Sequence, residues 1–281
     1  KRQPMADLKS LQRRLSEILQ DRARYATAPH GFIRGRSIVT NADPHVSHRT
    51  VFNLDLQDFF TSINFGRVRG LFLAAPFGAS PRAATVLAQL CCHQGSLPQG
   101  APTSPVLSNL ICWKMDAQLK TLARNSHCRY TRYADDITFS RRTGTLPAEI
   151  GELDSAGNAV VGTSLRSVIE GNGFRIHPDK VRLYRNTHRQ VVAGLVVNRK
   201  VNVPRSFVRE IRAMICDWRR HGLEIAQAKH HEKHYRWTSR LRPKPPLQRI
   251  IEGKLNFLQM VKGTRDPVRV NLQGQLVKVW P

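Results

Sequence analysis

The pattern of hydrophobic and polar positions predicts a helix and then a strand in the first 60 residues. Near the start, apolar residues recur at helical spacing with charged residues between them, which predicts an amphipathic helix. These residues are Leu8, Leu11, Leu15, Ile18 and Leu19. Further on, the run from Val51 to Leu56 (VFNLDL) is apolar and β-branched, which predicts a buried strand that continues into a turn. Asp55 lies inside this run, where an unpaired carboxylate would be costly to bury.

The middle of the chain predicts two helices and a hairpin. Residues 80–94 have a helical pattern, and after a polar loop a second helix extends to about Arg124. Thr103 or Ser104 can cap this second helix, and Pro105 suits its first turn. Two short strands follow, over Arg129–Tyr133 and Ile137–Ser140. Between them lies the tip of a hairpin, which consists of Ala134, Asp135 and Asp136.

The last hundred residues change from strands to helices. After a helix that ends near residues 171–173, strands are predicted over Val181–Tyr184, Val191–Val197 and Lys200–Val203. From Pro204 onward, an apolar stripe at helical spacing predicts a helix that stops at Gly222. The stripe consists of Phe207, Val208, Ile211, Ile215 and Trp218. A second helix is predicted over Leu247–Val261.

The charge of the chain favours a polyanionic partner. Its 281 residues include 45 Lys and Arg against 20 Asp and Glu, which gives a formal net charge of +25. Residues 1–181 hold 23 basic and 14 acidic residues, or +9, whereas residues 182–281 hold 22 and 6, or +16. Nucleic acid is the predicted partner, since it carries a phosphate charge every few ångströms. An anionic membrane surface is a weaker alternative, and simple solubilisation of the surface is the plainest one.

Hydrophobic content and cysteine usage limit the class of protein. With 41% hydrophobic and 23% charged residues, the chain can form a globular core, and a disordered or disulfide-rich class is excluded. No stretch reaches the roughly 18 apolar residues needed to cross a bilayer. The five cysteines contain no Cys-x-x-Cys pair, so neither a disulfide framework nor a zinc ribbon is predicted. A reducing, cytoplasmic location is expected.

Asp55, Asp135 and Asp136 are the candidates for chemistry. Burying such carboxylates costs several kcal/mol each unless a cation or hydrogen bonds compensate. Arginines could supply that compensation, and an Asp-Asp pair at a hairpin tip is often simple turn chemistry. The sharper hypothesis is a pair of Mg²⁺ ions about 4 Å apart that stabilise the attacking and leaving oxygens of a phosphoryl transfer. Together with the basic charge, these residues predict chemistry on nucleic acid.

Three segments resemble motifs A, B and C of reverse transcriptases, in the same order: NLDLQDFF (Asn53–Phe60), LPQGAPTSPVLSNL (Leu97–Leu110) and YADD (Tyr133–Asp136). The resemblance implies an α+β fold, a right-hand polymerase with partial fingers, a palm built on an antiparallel sheet and a mainly helical thumb. It assigns residues 1–203 to fingers and palm and residues 204–281 to a basic, helical, thumb-like region. The chain is expected to begin inside the fingers, and several tens of preceding residues or another polypeptide would complete them.

The resemblance also implies the roles of the catalytic residues. The metal ligands are Asp55, Asp135 and Asp136 with the backbone carbonyl of Leu56, and they hold two Mg²⁺ ions, for which Mn²⁺ can substitute. The segment GFRIHPDKVRL is similar to motif D. Its lysine, Lys180, is expected to protonate or shield the leaving pyrophosphate, although a solvated surface lysine is the plain alternative.

Further residues are implied to bind the nucleotide. Phe60 falls at the position of the steric gate, where an aromatic ring clashes with a 2'-hydroxyl and selects dNTPs, and an ordinary core aromatic is its alternative. Gln99 and Gly100 match the motif B residues that pack against the incoming nucleotide and the template base. Glycine there permits close backbone approach. Arg34 and Arg36 belong to the remaining fingers, with the triphosphate or the template as partners.

Two shorter motifs resemble those of retron reverse transcriptases. The segment NADPH contains Asn41 and His45 at the positions of the N-A-x-x-H signature, for which a local turn and a capped helix are the alternative. Retron enzymes also carry Val-Thr-Gly in the strand after motif D, a mark associated with recognition of the cognate RNA. Here the three residues are Val192, Ala193 and Gly194, so the threonine is missing. These five positions are the predicted RNA-recognition residues.

The retron resemblance implies substrates and partners. Such enzymes use a cognate structured noncoding RNA as template and primer, start from an internal guanosine 2'-hydroxyl, and consume dNTPs to make RNA-linked single-stranded DNA (msDNA). An effector protein and a role in antiphage defence are implied too, and no membrane partner is. Arginines of the helix after Pro204 are expected to follow the nucleic-acid backbone. They are Arg205, Arg209, Arg212, Arg219 and Arg220.

Two other classes of function remain open. The first is a non-retron bacterial reverse transcriptase, either group II intron-like, diversity-generating or associated with another defence system. The second is a catalytically inactive nucleic-acid-binding scaffold. A vestigial site has no physical reason to retain three costly carboxylates, which favours an active polymerase.

Overall fold

The computed structural model describes residues 6–23, 25–235 and 244–280. The α-helices in these ranges are α1 (Ala6–Arg22), α2 (Ile38–Ala42), α3 (Phe65–Leu73), α4 (Pro81–Cys91), α5 (Ser104–Ile111), α6 (Trp113–Asn125), α7 (Thr163–Gly171), α8 (Arg205–His221), α9 (Leu223–His234), α10 (Leu247–Lys262) and α11 (Pro267–Val277). The strands are β1 (Thr50–Gln57), β2 (Arg129–Tyr133), β3 (Asp136–Arg141), β4 (Gly151–Leu153), β5 (Ala159–Val161), β6 (Arg175–Ile176), β7 (Arg182–Arg185), β8 (Val191–Val192) and β9 (Leu195–Val196). Short 3₁₀ helices cover Asp43–His45 and Pro178–Lys180. The predicted α+β class is confirmed.

The chain divides into two compact units. The first comprises residues 1–193 with 197–199, and the second comprises residues 194–196 with 200–281. In the described ranges, the first unit contains α1 to α7 and β1 to β8, and the second contains β9 and α8 to α11. None of the helices in these ranges is long and apolar enough to span a membrane.

An antiparallel sheet lies at the centre of the first unit. Its strand order is β2-β3-β1-β6, and β7 also pairs with β1. The register places Thr50 opposite Arg141 at one end of the β1–β3 pair and Asp55 opposite Asp136 at the other. β1 pairs with strands on both of its sides, and its apolar side chains are almost fully buried in the core that packs against the sheet.

Large apolar side chains from strands and helices form one core in this unit. Several lose almost all contact with solvent: Phe52, Phe72, Phe139, Phe174, Leu107 and Met115. Full burial of a side chain of this size contributes about 1.5–3 kcal/mol of favourable transfer free energy. The core therefore fixes the sheet from which the candidate site projects.

Helix starts in this unit follow local sequence signals. Ser37 caps α2 and forms a reciprocal capping box with Thr40. Ser80 caps α4 one residue before a proline. Each hydroxyl accepts a hydrogen bond from an amide that has no partner within the helix. At α5 the predicted proline, Pro105, is in the first turn, but Thr103 makes no side-chain capping hydrogen bond.

Most of the predicted helices are present in the structure, but one of them is divided in two. The helix expected to run to Arg124 is divided into α5 and α6 at Cys112, whose ψ of −4° departs from helical values. The stretches over α1, α4, α8 and α10 are confirmed within a few residues. Helices α3, α9 and α11 were not predicted, and neither was the β4–β5 hairpin.

The strand predictions after Val181 need correction. The single strand expected over Val191–Val197 is wrong, because Ala193 and Gly194 take positive φ angles of 45° and 81° that turn the chain. The strand expected over Lys200–Val203 is also wrong, since only an isolated bridge at Asn202 is present there. The preceding strand is confirmed, shifted by one residue, as β7.

The second unit consists mainly of helices around a small core of its own. Trp218 of α8 lies near Trp280, with ring centroids 6.0 Å apart, and Phe207 lies 5.2 Å from Phe257. Helix α8 ends at Gly222, as predicted, where a φ of 80° suits glycine. The apolar stripe predicted for α8 is the face that packs in this core.

Candidate active site

The pairing of β1 with β3 brings predicted carboxylates together. Asp55 is the direct cross-strand neighbour of Asp136, and opposite residues in an antiparallel pair have Cβ atoms about 4.5–5.5 Å apart. Asp135 precedes Asp136 in the turn, and its carbonyl oxygen accepts a hydrogen bond of 3.0 Å from the amide of Leu56. The turn itself depends on Ala134, which adopts a φ of 57°. We call Asp55, Asp135 and Asp136 the acidic edge.

Lys180 also reaches the acidic edge. The carbonyl of Asp55 accepts a hydrogen bond of 2.8 Å from the amide of His177, which places the following 3₁₀ helix, Pro178–Lys180, beside the strand. The Lys180 ammonium lies 2.9 Å from Oδ2 of Asp55, while about half of its side-chain surface stays exposed. The hydrogen bond to Asp55 raises the pKa of Lys180, so this ammonium stays protonated at neutral pH.

Two carboxylates of the acidic edge, those of Asp135 and Asp136, have raised pKa values. Desolvation, then repulsion from Asp135 and from Asp55, raises the pKa of Asp136 to about 6. Asp136 is exposed as a whole residue, but neighbouring atoms keep part of the water from its carboxyl group. The pKa of Asp135 is raised as well, first by desolvation and then by Asp55. Lys180 opposes both shifts without cancelling them, so negative charge remains uncompensated.

The donor set of the acidic edge fits a hard divalent cation in its chemistry. Carboxylate and carbonyl oxygens are the ligands that Mg²⁺ prefers, and the raised pKa values mark a site where positive charge would be favourable. In the described ranges, however, no three His, Cys, Asp or Glu side chains converge into a ready-made metal cluster. Asp55 instead holds Lys180, so a cation bound by Asp55 would take the place of that ammonium.

Aromatic side chains lie close to the end of β1. Phe60 is partly buried, and its ring packs against Phe59 at 5.2 Å and against Phe32 at 6.1 Å between centroids. Phe59 in turn stacks on Phe174, 5.7 Å away. Phe32, which the sequence did not single out, is 41% exposed and has a φ of 64°, an uncommon conformation for a bulky residue. Phe60 is therefore supported by a tilted contact with Phe32 and an edge contact with Phe59.

The predicted nucleotide-binding residues differ in accessibility. Gln99 and Gly100 are exposed in the loop before α5, and a φ of 97° with free space around its Cα explains glycine at position 100. Arg34 is also exposed. The guanidinium of Arg36, by contrast, donates hydrogen bonds to the carbonyls of residues 26, 27 and 29, so it already fixes the local loop.

Asn41 and His45 are inside the first unit rather than on its surface. His45 is fully buried, and its Nδ1 and Nε2 lie 2.6 Å from Ser140 Oγ and 2.8 Å from Thr131 Oγ1. The Nδ1 of His48 contacts the same serine hydroxyl. Desolvation, with smaller contributions from His48, His30 and Arg129, lowers the pKa of His45 to about 3. We call His45, His48, Thr131 and Ser140 the histidine cluster.

The third group of predicted RNA-recognition residues forms a turn. Val192 is fully buried, Ala193 is partly buried and Gly194 is exposed. The preceding carbonyl, that of Val191, accepts a hydrogen bond of 2.6 Å from the side chain of Asn53 on β1. In the first unit, this anchors the chain that enters the turn to the central strand.

The five arginines predicted to follow a nucleic-acid backbone, Arg205, Arg209, Arg212, Arg219 and Arg220, are all exposed on α8. None of them takes part in an ion pair with another described residue. The acidic residues of α8 are paired with other helices, Glu210 with Lys254 at 2.9 Å and Asp217 with Lys229 at 3.3 Å. The positive charge of α8 therefore faces solvent.

Sequence reasoning missed a buried ion pair next to the acidic edge. Arg132 and Asp116, in β2 and α6, are 0% and 1% exposed, and their closest atoms are 2.6 Å apart. The available signal was weak, since a single arginine in an alternating strand or an aspartate in a polar helix is usually a surface residue. The sequence offers no stronger signal that Arg132 and Asp116 are buried or that they pair with each other.

Comparison with known proteins identifies the class to which this site belongs. Residues 2–239 match the family model described as "Reverse transcriptase (RNA-dependent DNA polymerase)". The chain therefore belongs to the reverse transcriptase family, in agreement with the predicted right-hand polymerase fold.

Curated relatives narrow the class. Retron Mx162 reverse transcriptase of Myxococcus xanthus is 38% identical over 243 residues, covering 75% of this chain and 48% of the relative. Retron Mx65 reverse transcriptase of the same organism is 39% identical over 230 residues, covering 75% and 51%. Retron Ec86 reverse transcriptase of Escherichia coli is 34% identical over 214 residues, covering 76% and 63%. The predicted resemblance to retron reverse transcriptases is confirmed, and the chain spans about half the length of the first two relatives.

Proposed function

We propose that this chain carries the RNA-directed DNA polymerase of a retron and that the acidic edge is its catalytic centre. The observation that carries the proposal is the position of Asp55 opposite Asp136, with Asp135 adjacent in the turn. Three neighbouring carboxylates whose charge is compensated only in part by Lys180 are expensive to keep unless a ligand uses them. Similarity to retron reverse transcriptases supports RNA as the template.

In this proposal, Asp55, Asp135 and Asp136 would hold two Mg²⁺ ions, or Mn²⁺ in their place, and the carbonyl of Leu56 would be a further ligand. The chemistry supplied by such ions is activation of the primer hydroxyl and neutralisation of charge on the phosphate oxygens. The protein keeps Asp55 and Asp136 opposite each other through the β1–β3 hydrogen bonds, so the two carboxylates would be available to the same bound ions.

Lys180 is the proposed general acid. A bond forms between the primer oxygen and the α-phosphorus, the bond to pyrophosphate breaks, and the leaving oxygen gains negative charge. The Nζ of Lys180 carries a proton at neutral pH and its side chain is about half exposed, so this ammonium is available to donate a proton to that oxygen. Asp55 is also a proposed metal ligand, so Lys180 and a bound ion would compete for the charge of this carboxylate.

The residues around the reacting atoms would select and hold the nucleotide. Phe60, supported by Phe32 and Phe59, presents a fixed ring that would clash with a 2'-hydroxyl. Gln99 and Gly100 are exposed and free to approach the incoming nucleotide. The exposed Arg34 is available to bind the triphosphate or the template. Arg36 would support it indirectly, because its guanidinium orders the neighbouring loop.

Recognition of the cognate RNA is proposed to use both buried and exposed groups. The burial of Asn41 and His45 supports an indirect role, in which they hold the 3₁₀ helix Asp43–His45 against the sheet. The turn around Ala193 and Gly194 and the α8 arginines supply exposed groups for direct contact. The expected product is msDNA, and an effector protein and antiphage defence belong to the same proposal.

The test is to purify the full-length protein from its native host, in which the DNA flanking its gene is also present, and to identify the nucleic acid bound to the protein. RNA-linked DNA that is sensitive to RNase, DNase and a 2',5'-debranching enzyme is expected. A strain carrying both Asp135→Asn and Asp136→Asn should retain the RNA but contain no DNA, whereas Glu170→Gln, an exposed carboxylate on α7, should match the wild type.

The possible results separate the alternatives. Unbranched DNA or RNA would keep the polymerase and reject the retron assignment. DNA synthesis by the double variant would reject the acidic edge as the catalytic centre. Bound RNA with no DNA in the wild type, and no incorporation of dNTPs on an RNA template with Mg²⁺ or Mn²⁺, would favour an inactive scaffold.

A further inference from the structure

Arg132 connects the core of the first unit to the turn of the acidic edge. Its Nε and Nη2 donate hydrogen bonds of 2.8 and 2.6 Å to the two carboxylate oxygens of Asp116. Its Nη2 also donates to Asn109 Oδ1 at 3.2 Å, and its Nη1 donates to the carbonyl of Ala134 at 2.9 Å. A single guanidinium therefore joins α5, α6 and the residue immediately before Asp135.

Ala134 is the part of the turn that needs such support. Its φ of 57° is a left-handed conformation, which costs a non-glycine residue about 1–2 kcal/mol. The turn is also held from the other side by Gly31, where an added Cβ would lie only 2.6 Å from the Ala134 nitrogen. Asn109 fixes Gly31 by donating a hydrogen bond of 2.8 Å to its carbonyl, and the same asparagine accepts from Arg132.

Stability alone is a weak reason for this arrangement. Buried ion pairs often contribute no more than well-packed apolar residues of similar volume, because both charges lose their water. Burial acts to lower the pKa of Arg132, but Asp116 more than compensates and the pKa is raised, so the side chain stays charged. Tyr130 adds a hydrogen bond of 2.7 Å to Asp116, which completes the coordination of this carboxylate. The one contact of Arg132 that leads to the candidate site is the Ala134 carbonyl.

We propose that Arg132 is a positioning residue, which holds the left-handed turn at Ala134 so that Asp135 and Asp136 face Asp55. The inference rests on the proposed function, because it assigns a task within the same site. Arg132 does not contact substrate, since it is fully buried; its hydrogen bond to the turn is made to the backbone at Ala134, and its charge also favours the ionised form of Asp135. Misplacement of a reacting group by about 1 Å can cost 100-fold in rate, so a small shift of this turn is sufficient.

The test compares Arg132→Lys with Tyr130→Phe in the full chain. Lysine keeps the charge beside Asp116 but cannot supply the forked set of donors, so the bond to Ala134 is lost. We expect kcat for dNTP incorporation to fall about 10- to 100-fold and half-saturation by Mg²⁺ to rise several-fold, while KM for dNTP changes less than about 3-fold. Tyr130→Phe removes a bond to Asp116 but leaves the Ala134 contact, so its kcat should stay within about 2-fold.

A rescue experiment separates positioning from general destabilisation. Glycine adopts positive φ without strain, so Ala134→Gly in the Arg132→Lys background should restore part of kcat, while the relief of strain at this one residue should restore only part of the unfolding temperature. If Arg132→Lys does not fold, the uncharged pair Arg132→Gln with Asp116→Asn replaces it, with the same expectations. All rates are measured well below the unfolding midpoint of each variant.

Binding of Mn²⁺, followed by electron paramagnetic resonance, gives a readout that does not need DNA synthesis. Arg132→Lys should weaken Mn²⁺ binding several-fold, and Tyr130→Phe should not. Wild-type kcat, Mg²⁺ dependence and Mn²⁺ affinity in a folded Arg132→Lys protein would overturn the positioning role. An equal loss of kcat in Tyr130→Phe would also overturn the positioning role, because the loss would then come from general destabilisation and not from loss of the bond to Ala134. If the wild type binds Mn²⁺ but makes no DNA, the proposed function is rejected. The positioning role is then decided by whether Arg132→Lys weakens Mn²⁺ binding.

Discussion

The acidic edge and the histidine cluster lie on the same antiparallel sheet but differ in how their polar groups are balanced. In the histidine cluster, both ring nitrogens of His45 have hydroxyl partners, and desolvation lowers its pKa to about 3, so the ring is neutral at physiological pH. In the acidic edge, carboxylates oppose one another, and desolvation and mutual repulsion raise the pKa of Asp136 to about 6. Lys180 compensates this charge only in part.

This difference distinguishes polar groups that serve folding from polar groups that serve a ligand. A buried group with all its hydrogen bonds made contributes to a unique fold, and its removal costs stability. A group whose charge is left unbalanced costs stability in the free protein, and it is retained where binding compensates the cost. By this criterion the Arg132–Asp116 pair belongs with the histidine cluster, and the solvent-facing arginines of α8 belong with the acidic edge.

The largest expected effect follows removal of one charge from the acidic edge. We expect Asp136→Asn to reduce DNA synthesis at least about 1,000-fold, since a proposed metal ligand loses its charge. The same change should stabilise the metal-free fold at pH 8. The pKa of Asp136 is raised above its ordinary value of 3.8 to about 6, so its contribution to stability is present below pH 3.8 and is lost as pH rises through 6.

Calorimetry in the presence of a chelator checks this prediction. The unfolding temperature of Asp136→Asn minus that of the wild type should be near zero at pH 4 and positive at pH 8. Glu170→Gln, which removes an exposed carboxylate paired with Arg166, should show neither the gain nor the loss of synthesis. A variant less stable than wild type at pH 8 would mean that the acidic edge is balanced within the protein.

The next effect should be one of stability rather than chemistry. His45→Ala leaves a cavity and removes the partner of two buried groups, so we expect a loss of about 2–4 kcal/mol in the free energy of unfolding. DNA synthesis per folded molecule should change less than about 3-fold, because the ring does not reach the site. Denaturant titration at pH 7 and activity at 20 °C below the midpoint measure both quantities.

The pH dependence of this effect should have the opposite sign to that of Asp136. The pKa of His45 is lowered from 6.5 to about 3, so its contribution to stability is present above pH 6.5 and is lost as pH falls towards 3. His45→Ala should therefore lose less stability than wild type between pH 6.5 and 4. His48→Ala, which removes a second buried ring from the same serine, is the matched control. Loss of cognate RNA binding by His45→Ala without loss of stability would make it a direct recognition residue.

Local sequence patterns were sufficient for the elements of the acidic edge. The alternating strand before Asp135 and the hairpin turn are short-range signals, and β1 is marked by its apolar run. The pairing of Asp55 with Asp136 is different, since it joins strands 81 residues apart and depends on a register that no local pattern specifies. The resemblance to known motifs, rather than physical periodicity, predicted that these carboxylates act together.

The balanced groups were much harder to predict. His45 binds hydroxyls 86 and 95 residues away, and Arg132 binds an aspartate of another element. Isolated polar residues of this kind look like surface positions, because their burial depends on which elements pack over them. The broken strand at Ala193 was missed for a similar reason, since alanine gives no signal of a positive φ. Motifs in the sequence therefore identify the carboxylates of the acidic edge, whereas buried polar groups with hydrogen-bond partners, such as His45 and Arg132, give no local signal.

A smaller effect tests whether the exposed face of Phe60 is also reserved for a ligand. We expect Phe60→Ala to lower the preference for dNTPs over ribonucleotides about 10- to 100-fold, because the ring that would meet the 2'-hydroxyl is removed. Phe32→Ala removes only a neighbour of this ring, so its selectivity should change less than about 5-fold. Single-nucleotide incorporation with dGTP and GTP measures the selectivity of both variants. Unchanged selectivity in Phe60→Ala would mean that Phe60 is an ordinary core aromatic residue and not a steric gate.

The smallest effect concerns the unbalanced arginines of α8. If these side chains contact phosphates, each released contact should reduce the slope of log K against log salt by about 0.7–0.9. Arg212→Ala and Arg219→Ala should each weaken binding of the cognate RNA–DNA hybrid a few-fold at physiological salt, and more at low salt. Arg249→Ala on α10 is the control, since that exposed arginine is already paired with Glu252 at 3.1 Å. Filter binding at 50–300 mM KCl gives the slopes. Equal slopes in all three variants would place the phosphate contacts elsewhere, and they would show that an unpaired cation in this protein does not by itself mark a binding surface.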